Sequence, residues 1–400
     1  MKKTLLGSLT VLVISLFSLS SIVFTQDISS VVSANNQFTF DLYSRYKSKD
    51  GNILYSPYSI FSALAMTYEG AKGKTAEEMQ AVFHFPQDAF IRRSSYLEIY
   101  KKINKKDKEY TLSTANALWA QKDYKFLEDY FNLVDKYYGG KATNLDFIKE
   151  TEESRLVINS WVEEQTNNKI KDLIPPGFIT PSTRLVLTNA IYFKGFWLKQ
   201  FDKEDTKEED FRVSPDTKIK VQMMHLTGEF NYAETEKLQI LELPYVGNEL
   251  SMLIFLPKGD DLKVVEESLN PEKLSEWKKL LRNEEVNVSL PKFKLETKYF
   301  MAEDFMEMGM PTAFTPGEAD FSGMTGNKDL HISQVIHQAF VEVNEEGTEA
   351  AAATAVVTKG MPIRLEPIKI FKADHPFIFI IQDRDMGNIL FIGRVSDPTK

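Results

Sequence analysis

The chain has 400 residues, 43% hydrophobic and 26% charged, a globular balance that excludes disordered, collagen-like and multi-span membrane classes. Fifty-seven acidic against 48 basic residues give a net charge of −9, which disfavours phosphate backbones and anionic lipid, so no nucleic-acid partner is expected. The absence of cysteine excludes a disulfide framework, a thiolate nucleophile, a cysteine zinc site and a lipid-modified cysteine.

Lys2 and Lys3 precede an apolar stretch from Leu5 to Phe24 broken by serines, so residues 1–26 are expected to be a signal peptide and the mature protein to be secreted and extracellular. A retained membrane anchor is the competing reading, since that stretch reaches the ~20 residues a spanning helix needs. Helical periodicity follows at Val31–Arg45, Tyr58–Tyr68, Ala76–Phe83 and Tyr96–Ile103, then a strand at Tyr110–Trp119 and helices at Glu128–Tyr137 and Thr151–Asn168. Strand-like runs then dominate: Arg184–Phe193, Lys218–Met224, Leu238–Leu243, Ser251–Leu256, Glu285–Lys294, His331–Val343 and the end of the chain. With no regular β-α-β alternation and no Pro/Gly/Ser linker, residues 27–400 are expected to form one α+β domain.

Catalytic motifs are missing. Gly73-Lys74-Thr75 ends like a phosphate loop, but position 68 holds Tyr where that loop needs its first glycine. There is no G-x-S-x-G and no H-E-x-x-H, and His84, His225, His331, His337 and His375 lack ligand spacing, so neither an enzyme nor a metal or other cofactor is expected. His331 and His337 share one face of a strand-like run ~20 Å apart, which reads as buried, hydrogen-bonded imidazoles. The lysines Lys101, Lys102, Lys105, Lys106 and Lys108 are diluted by Glu98, Asp107 and Glu109, so they read as a solvated helix end rather than a polyanion or glycosaminoglycan site. The sequon Asn287-Val288-Ser289 sits in a strand pattern.

The most unusual segment runs Glu345-Glu346-Gly347-Thr348-Glu349-Ala350-Ala351-Ala352-Ala353-Thr354-Ala355-Val356-Val357, between a long buried strand and a stretch carrying Gly360, Pro362 and Pro367. Alanine favours helix whereas Thr354, Val356 and Val357 favour strand, leaving the segment near balance. As a strand it would put Thr348, Ala350, Ala352 and Thr354 on one face, small enough to slide between existing strands.

This segment, with Phe371-Lys372-Ala373-Asp374-His375-Pro376-Phe377, resembles the hinge and C-terminal signature of the serpins. Asn52-Ile53-Leu54-Tyr55-Ser56-Pro57, Leu187-Thr188-Asn189-Ala190-Ile191-Tyr192-Phe193-Lys194-Gly195-Phe196-Trp197 and Asp320-Phe321-Ser322-Gly323-Met324 are similar to further serpin landmarks, in order, from about Val31 to Pro398.

The resemblance implies a metastable α+β serpin fold of three sheets and eight or nine helices, with an exposed reactive-centre loop from Glu346 to about Pro367. It implies a secreted suicide-type inhibitor: a serine protease attacks the loop, forms an acyl-enzyme in a covalent 1:1 complex, and is trapped as the cut loop (Gly347 to about Met361) inserts into the central sheet. A papain-like cysteine protease is the alternative target, a non-inhibitory carrier or chaperone the alternative function, and a monomer the expected state. The resemblance assigns Ser56, Asn189 and His337 to a polar cluster, the shutter, that latches the central sheet. It assigns Trp197 and the pair Lys292 with Glu345 to the point where the loop enters, the breach, although a surface ion pair contributes only ~1 kcal/mol or less. Glu345, Glu346, Gly347, Thr348, Glu349, Ala350, Ala351, Ala352 and Ala353 form the hinge, with Thr348 expected to be exposed before cleavage. Counting seventeen residues from Glu345, as the family does, places the cut bond at Met361-Pro362, with Lys359 and Gly360 as alternatives because proline disfavours cleavage.

Overall fold

The computed structural model describes residues 28–104, 108–348 and 367–400. The expected signal segment, the hinge residues Glu349 to Ala353 and the bond candidates Lys359, Gly360, Met361 and Pro362 lie outside the described residues.

Fifteen strands form among the described residues. They are β1 Ile53–Tyr55, β2 Tyr110–Gln121, β3 Lys141–Leu145, β4 Leu185–Phe196, β5 Lys207–Ser214, β6 Thr217–Glu234, β7 Leu238–Pro244 and β8 Leu250–Pro257. The rest are β9 Arg282–Pro291, β10 Phe293–Phe300, β11 Gln334–Val343, β12 Gly347–Thr348, β13 Lys369–Lys372, β14 Phe377–Asp383 and β15 Ile389–Val395.

The central sheet has the order β10, β11, β12, β4, β2, β3. Its middle is unusual. β4 and β11 pair directly in parallel from Val186 opposite Gln334 to Tyr192 opposite Phe340, and above that the two-residue β12 lies between them. β4 is buried without a break from Leu185 to Phe193, the pattern of a strand covered on both faces. On one face, Ile158 and Val162 of the helix Thr151–Gln165 pack with Trp119, Val186, Ala190, Ile336 and Phe340. On the other face the helix Pro57–Tyr68 lies between the two sheets, and every residue but Tyr68 is buried, so it has no polar face. Pro57 at its first turn and the Ser59 N–H donating to Ser56 Oγ at 3.2 Å fix its start.

The second sheet runs β1, β15, β14, β8, β7, β6, β9, β13, with β5 beside β6. Two of the three expected sheets are thus joined: the 18-residue β6 pairs β5 at its start, β9 along its middle and β7 at its end. Among the described residues, eight helices of seven or more residues pack on or between the sheets: 28–46, Pro57–Tyr68, Gly73–Phe83, Ala89–Ile103, Glu128–Tyr138, Thr151–Gln165, Pro271–Leu280 and Ala302–Met308.

Three expectations are corrected by the fold. The run Glu285–Lys294 is two strands, β9 in one sheet and β10 in the other, with Lys292 at the crossing. β11 starts at Gln334, so His331 stands outside the strand rather than sharing a face with His337. Of the five histidines only His337 and His375 are buried.

Candidate functional site

Strand register alone aligns the polar cluster. Asn116 on β2 is opposite Asn189 on β4, Asn189 is opposite His337 on β11, and His337 is opposite Tyr299 on β10. The row crosses the seam where β4 meets β11. His337 Nδ1 bonds Asn189 Oδ1 across that seam, and the Ser56 N–H donates to His337 Nε2 at 3.0 Å. Nε2 therefore accepts and Nδ1 carries the proton, so the imidazole is neutral. Burial is the main reason: it pulls the His337 pKa down to about 3, against the bond to Asn189, which raises it. Asn189 Nδ2 donates to Ser59 O at 2.7 Å, to Ser59 Oγ at 2.6 Å and to Asn116 Oδ1, while Ser56 Oγ donates to Leu390 O at 2.6 Å. Ser56, Asn189 and His337 are thus brought together. Ser59, Asn116 and Tyr299, whose ring stacks on His337, are members the sequence reading missed.

The second group lies about one end of the same seam. Gly347 pairs with Phe196 and Thr348 with Gly195 on β4, and Thr348 also pairs with Val343 on β11. Thr348 is fully buried and its Oγ1 lies 2.8 Å from the Tyr245 hydroxyl, whose pKa burial drives far up. This corrects the expectation that Thr348 is exposed, and it moves the start of any exposed loop from Glu346 to beyond Thr348. A β-carbon at Gly347 would fall 2.1 Å from the Gly195 carbonyl oxygen, so glycine alone fits this approach.

Trp197 holds the approach to this strand. Its backbone N–H donates to Glu346 O at 2.9 Å, its indole N–H donates to Asn344 O at 3.0 Å, and its ring stacks on Tyr245 at 4.6 Å. Glu345 and Lys292 meet at 2.9 Å, as expected, but the Glu345 side chain is only 6% exposed, so this is not a simple surface pair. Burial would raise the Glu345 carboxyl pKa; hydrogen bonds from Lys292, the backbone and Thr206 outweigh it and hold the pKa below the usual range. Glu346 is ion-paired with Lys203.

Other candidates resolve into structural contacts. Lys101 pairs with Glu98 and Lys102 with Asp383 and Asp385, so described members of the basic run are matched by carboxylates. The helix Gly73–Phe83 begins at Gly73, and Thr75 Oγ1 accepts the Asp320 N–H at 2.9 Å, which leaves no phosphate cradle. Asn287 to Ser289 lie in β9. Among the described residues no cluster of His, Asp and Glu is arranged to hold a metal ion.

The family model described as Serpin (serine protease inhibitor) matches residues 33–398. The chain belongs to the serpin family. An uncharacterized serpin-like protein of Methanosarcina acetivorans is 45% identical over 92% of this chain and 86% of its own length. Human serpin B3 is 45% identical over 92% of this chain and all of its own. Uncleaved ovalbumin superposes with a TM-score of 0.84 at 35% identity, and human thyroxine-binding globulin with 0.86 at 30%, covering 92% and 94% of this chain and all of each neighbour. Serpins include both protease inhibitors and members that inhibit nothing.

Proposed function

We propose that this serpin is a secreted suicide-type inhibitor of serine proteases, forming a covalent 1:1 complex. In this reading the protease serine attacks a carbonyl carbon between Lys359 and Met361, the peptide nitrogen leaves with a proton, and an ester joins the two chains. The freed loop then enters the seam between β4 and β11 and carries the protease away before water cleaves the ester. The observation that carries the reading is the seating of Gly347 and Thr348 at the end of that seam, while β4 and β11 still pair directly below. Insertion has a prepared starting point and a direction. The shutter residues Ser56, Asn189 and His337 latch the seam against early opening; Trp197, Lys292 and Glu345 fix where the hinge enters. The four alanines Ala350 to Ala353 supply a strand that fits between packed neighbours. Each inserted hydrogen bond contributes only ~1 kcal/mol net, but about a dozen form together.

A denaturing gel tests this. Incubation with a competent serine protease gives an SDS-stable band at the summed mass, and the same protease with its active serine replaced gives none. Clean cleavage with no such band from every protease tested refutes the inhibitor and leaves the carrier or chaperone.

A further inference from the structure

The outward face of β13 is built against the usual rule for edge strands. β13 is the last strand of the nine-stranded sheet and pairs with β9. Phe371 of the strand is buried, while Ile370 and Lys372, with Ile368 just before the strand, point away from the core. Ile368 is 50% exposed and Ile370 68%. Soluble proteins blunt such edges with charge or proline, because an apolar edge invites association. Lys372 obeys that rule, paired with Glu209 at 2.8 Å, and the two isoleucines do not. Adding another strand is not the use of this edge, since Gln239 Nε2 already donates to the Ile370 carbonyl at 2.8 Å. What remains open is the pair of side chains.

Chain length says what reaches them. Ile368 follows Met361 by seven residues and Lys359 by nine. An extended chain spans at most ~3.3–3.6 Å per residue, so Ile368 lies within about 25 Å of a cut after Met361 and about 32 Å of one after Lys359. A protease domain of about 230 residues has a radius of gyration near 17 Å and is therefore about 45 Å across. A protease seated on any of these bonds brings its rim down at β13 unless the intervening chain is drawn straight.

We propose that Ile368 and Ile370 form a docking face for the target serine protease, meeting an apolar patch beside its cleft on the side that holds the C-terminal part of the cut loop. This rests on the inhibitor reading and adds to it a contact made before cleavage.

The test is the double variant Ile368→Thr/Ile370→Thr, which keeps β-branching and so the strand. Trypsin, chymotrypsin, elastase and subtilisin are compared, and the proposal stands or falls on whichever cuts the wild type fastest between Lys359 and Met361. For that protease kcat/KM of loop cleavage falls about five- to tenfold in the variant. The ratio of adduct to cut product and the melting temperature do not change. An unchanged kcat/KM in a folded variant overturns the proposal. So does a wild-type dimer that the substitutions dissociate, because the face would then belong to a second copy. If the double variant melts lower than wild type, Ile370→Thr alone carries the comparison. Cleavage kcat/KM is readable even when no adduct forms, so failure of the docking face and failure of the inhibitor reading are told apart.

Discussion

At the scale of single residues, His337 and Thr348 are fully buried polar groups at the seam. His337 accepts the Ser56 N–H through Nε2, so a proton there would set one N–H against another at a site without solvent. Its pKa is lowered on folding from the ordinary 6.5 to about 3, so the native state binds fewer protons than the unfolded chain across that window. Stability is therefore full above about pH 6.5 and falls as pH drops toward 3, by up to ~1.4 kcal/mol per unit. Urea unfolding between pH 7.5 and 5, above the range where carboxylates protonate, is expected to show that slope in the wild type and a flatter one in His337→Gln. Equal slopes would place the titration elsewhere. Thr348 makes a different prediction from the one its sequence position suggests. Because it is already buried against Tyr245, Thr348→Arg is expected to lower the melting temperature of the intact protein, by expelling the hinge, as well as its adduct yield. Thr348→Val and Tyr245→Phe should each lose about 1–3 kcal/mol, and the double variant less than their sum, since removing one hydroxyl strands the other. A strictly additive cycle would show that the two hydroxyls are not coupled.

At the scale of elements, the two-residue β12 is held by its neighbours. Glu345 and Glu346, just before it, are fixed by Lys292, Thr206, Trp197 and Lys203, and these anchors stand on or beside strands of both sheets. Lys292→Ala is therefore expected to raise hydrogen exchange at residues 345–348 while leaving the direct pairing of β4 and β11 below as protected as before. Mass spectrometry of the exchanged peptides checks it, and faster exchange throughout β4 and β11 would mean that Lys292 supports the whole seam instead. This local dependence explains what could be seen in the sequence. The long strands β4 and β11 were legible because both faces are apolar, and Ser56, Asn189 and His337 because their motifs resemble serpin landmarks. Asn116 and Tyr299 were not legible: they join the cluster through register with Asn189 and His337, and register between distant segments leaves no local pattern. The burial of Thr348 was hidden for the same reason, because its partner Tyr245 is 103 residues away. The helix Pro271–Leu280 escaped because it buries only Leu274 and Trp277, too narrow a stripe to stand out in a polar segment.

At the scale of the whole molecule, the proposed insertion would add one strand to the central sheet, at the seam where β4 meets β11. β4 and β11 pair in parallel, and among the described residues Gly347 and Thr348 already lie between their ends. Such an insertion would break the His337–Asn189 bond across the seam and, continuing the pairing of β12, would form antiparallel ladders on both sides of the new strand, and antiparallel pairing is slightly the stronger per residue. In the proposed mechanism a cut frees one end of the segment that follows Thr348, so that it would enter the seam without its C-terminal tether. Cleavage between Lys359 and Met361 by a non-target protease is therefore expected to raise the unfolding temperature. An ordinary protein nicked in a loop behaves oppositely, since the break adds freedom to the unfolded chain and removes nothing unfavourable from the native one. The sign of the change is thus decisive where its size is not. Intact and cut protein, the cut verified by mass, are melted side by side in one buffer at neutral pH. A melting temperature equal to or below that of the intact chain would mean that the segment after Thr348 does not insert. The seating of Gly347 and Thr348 would then be a fixed anchor for the loop, and the non-inhibitory reading would replace the inhibitor.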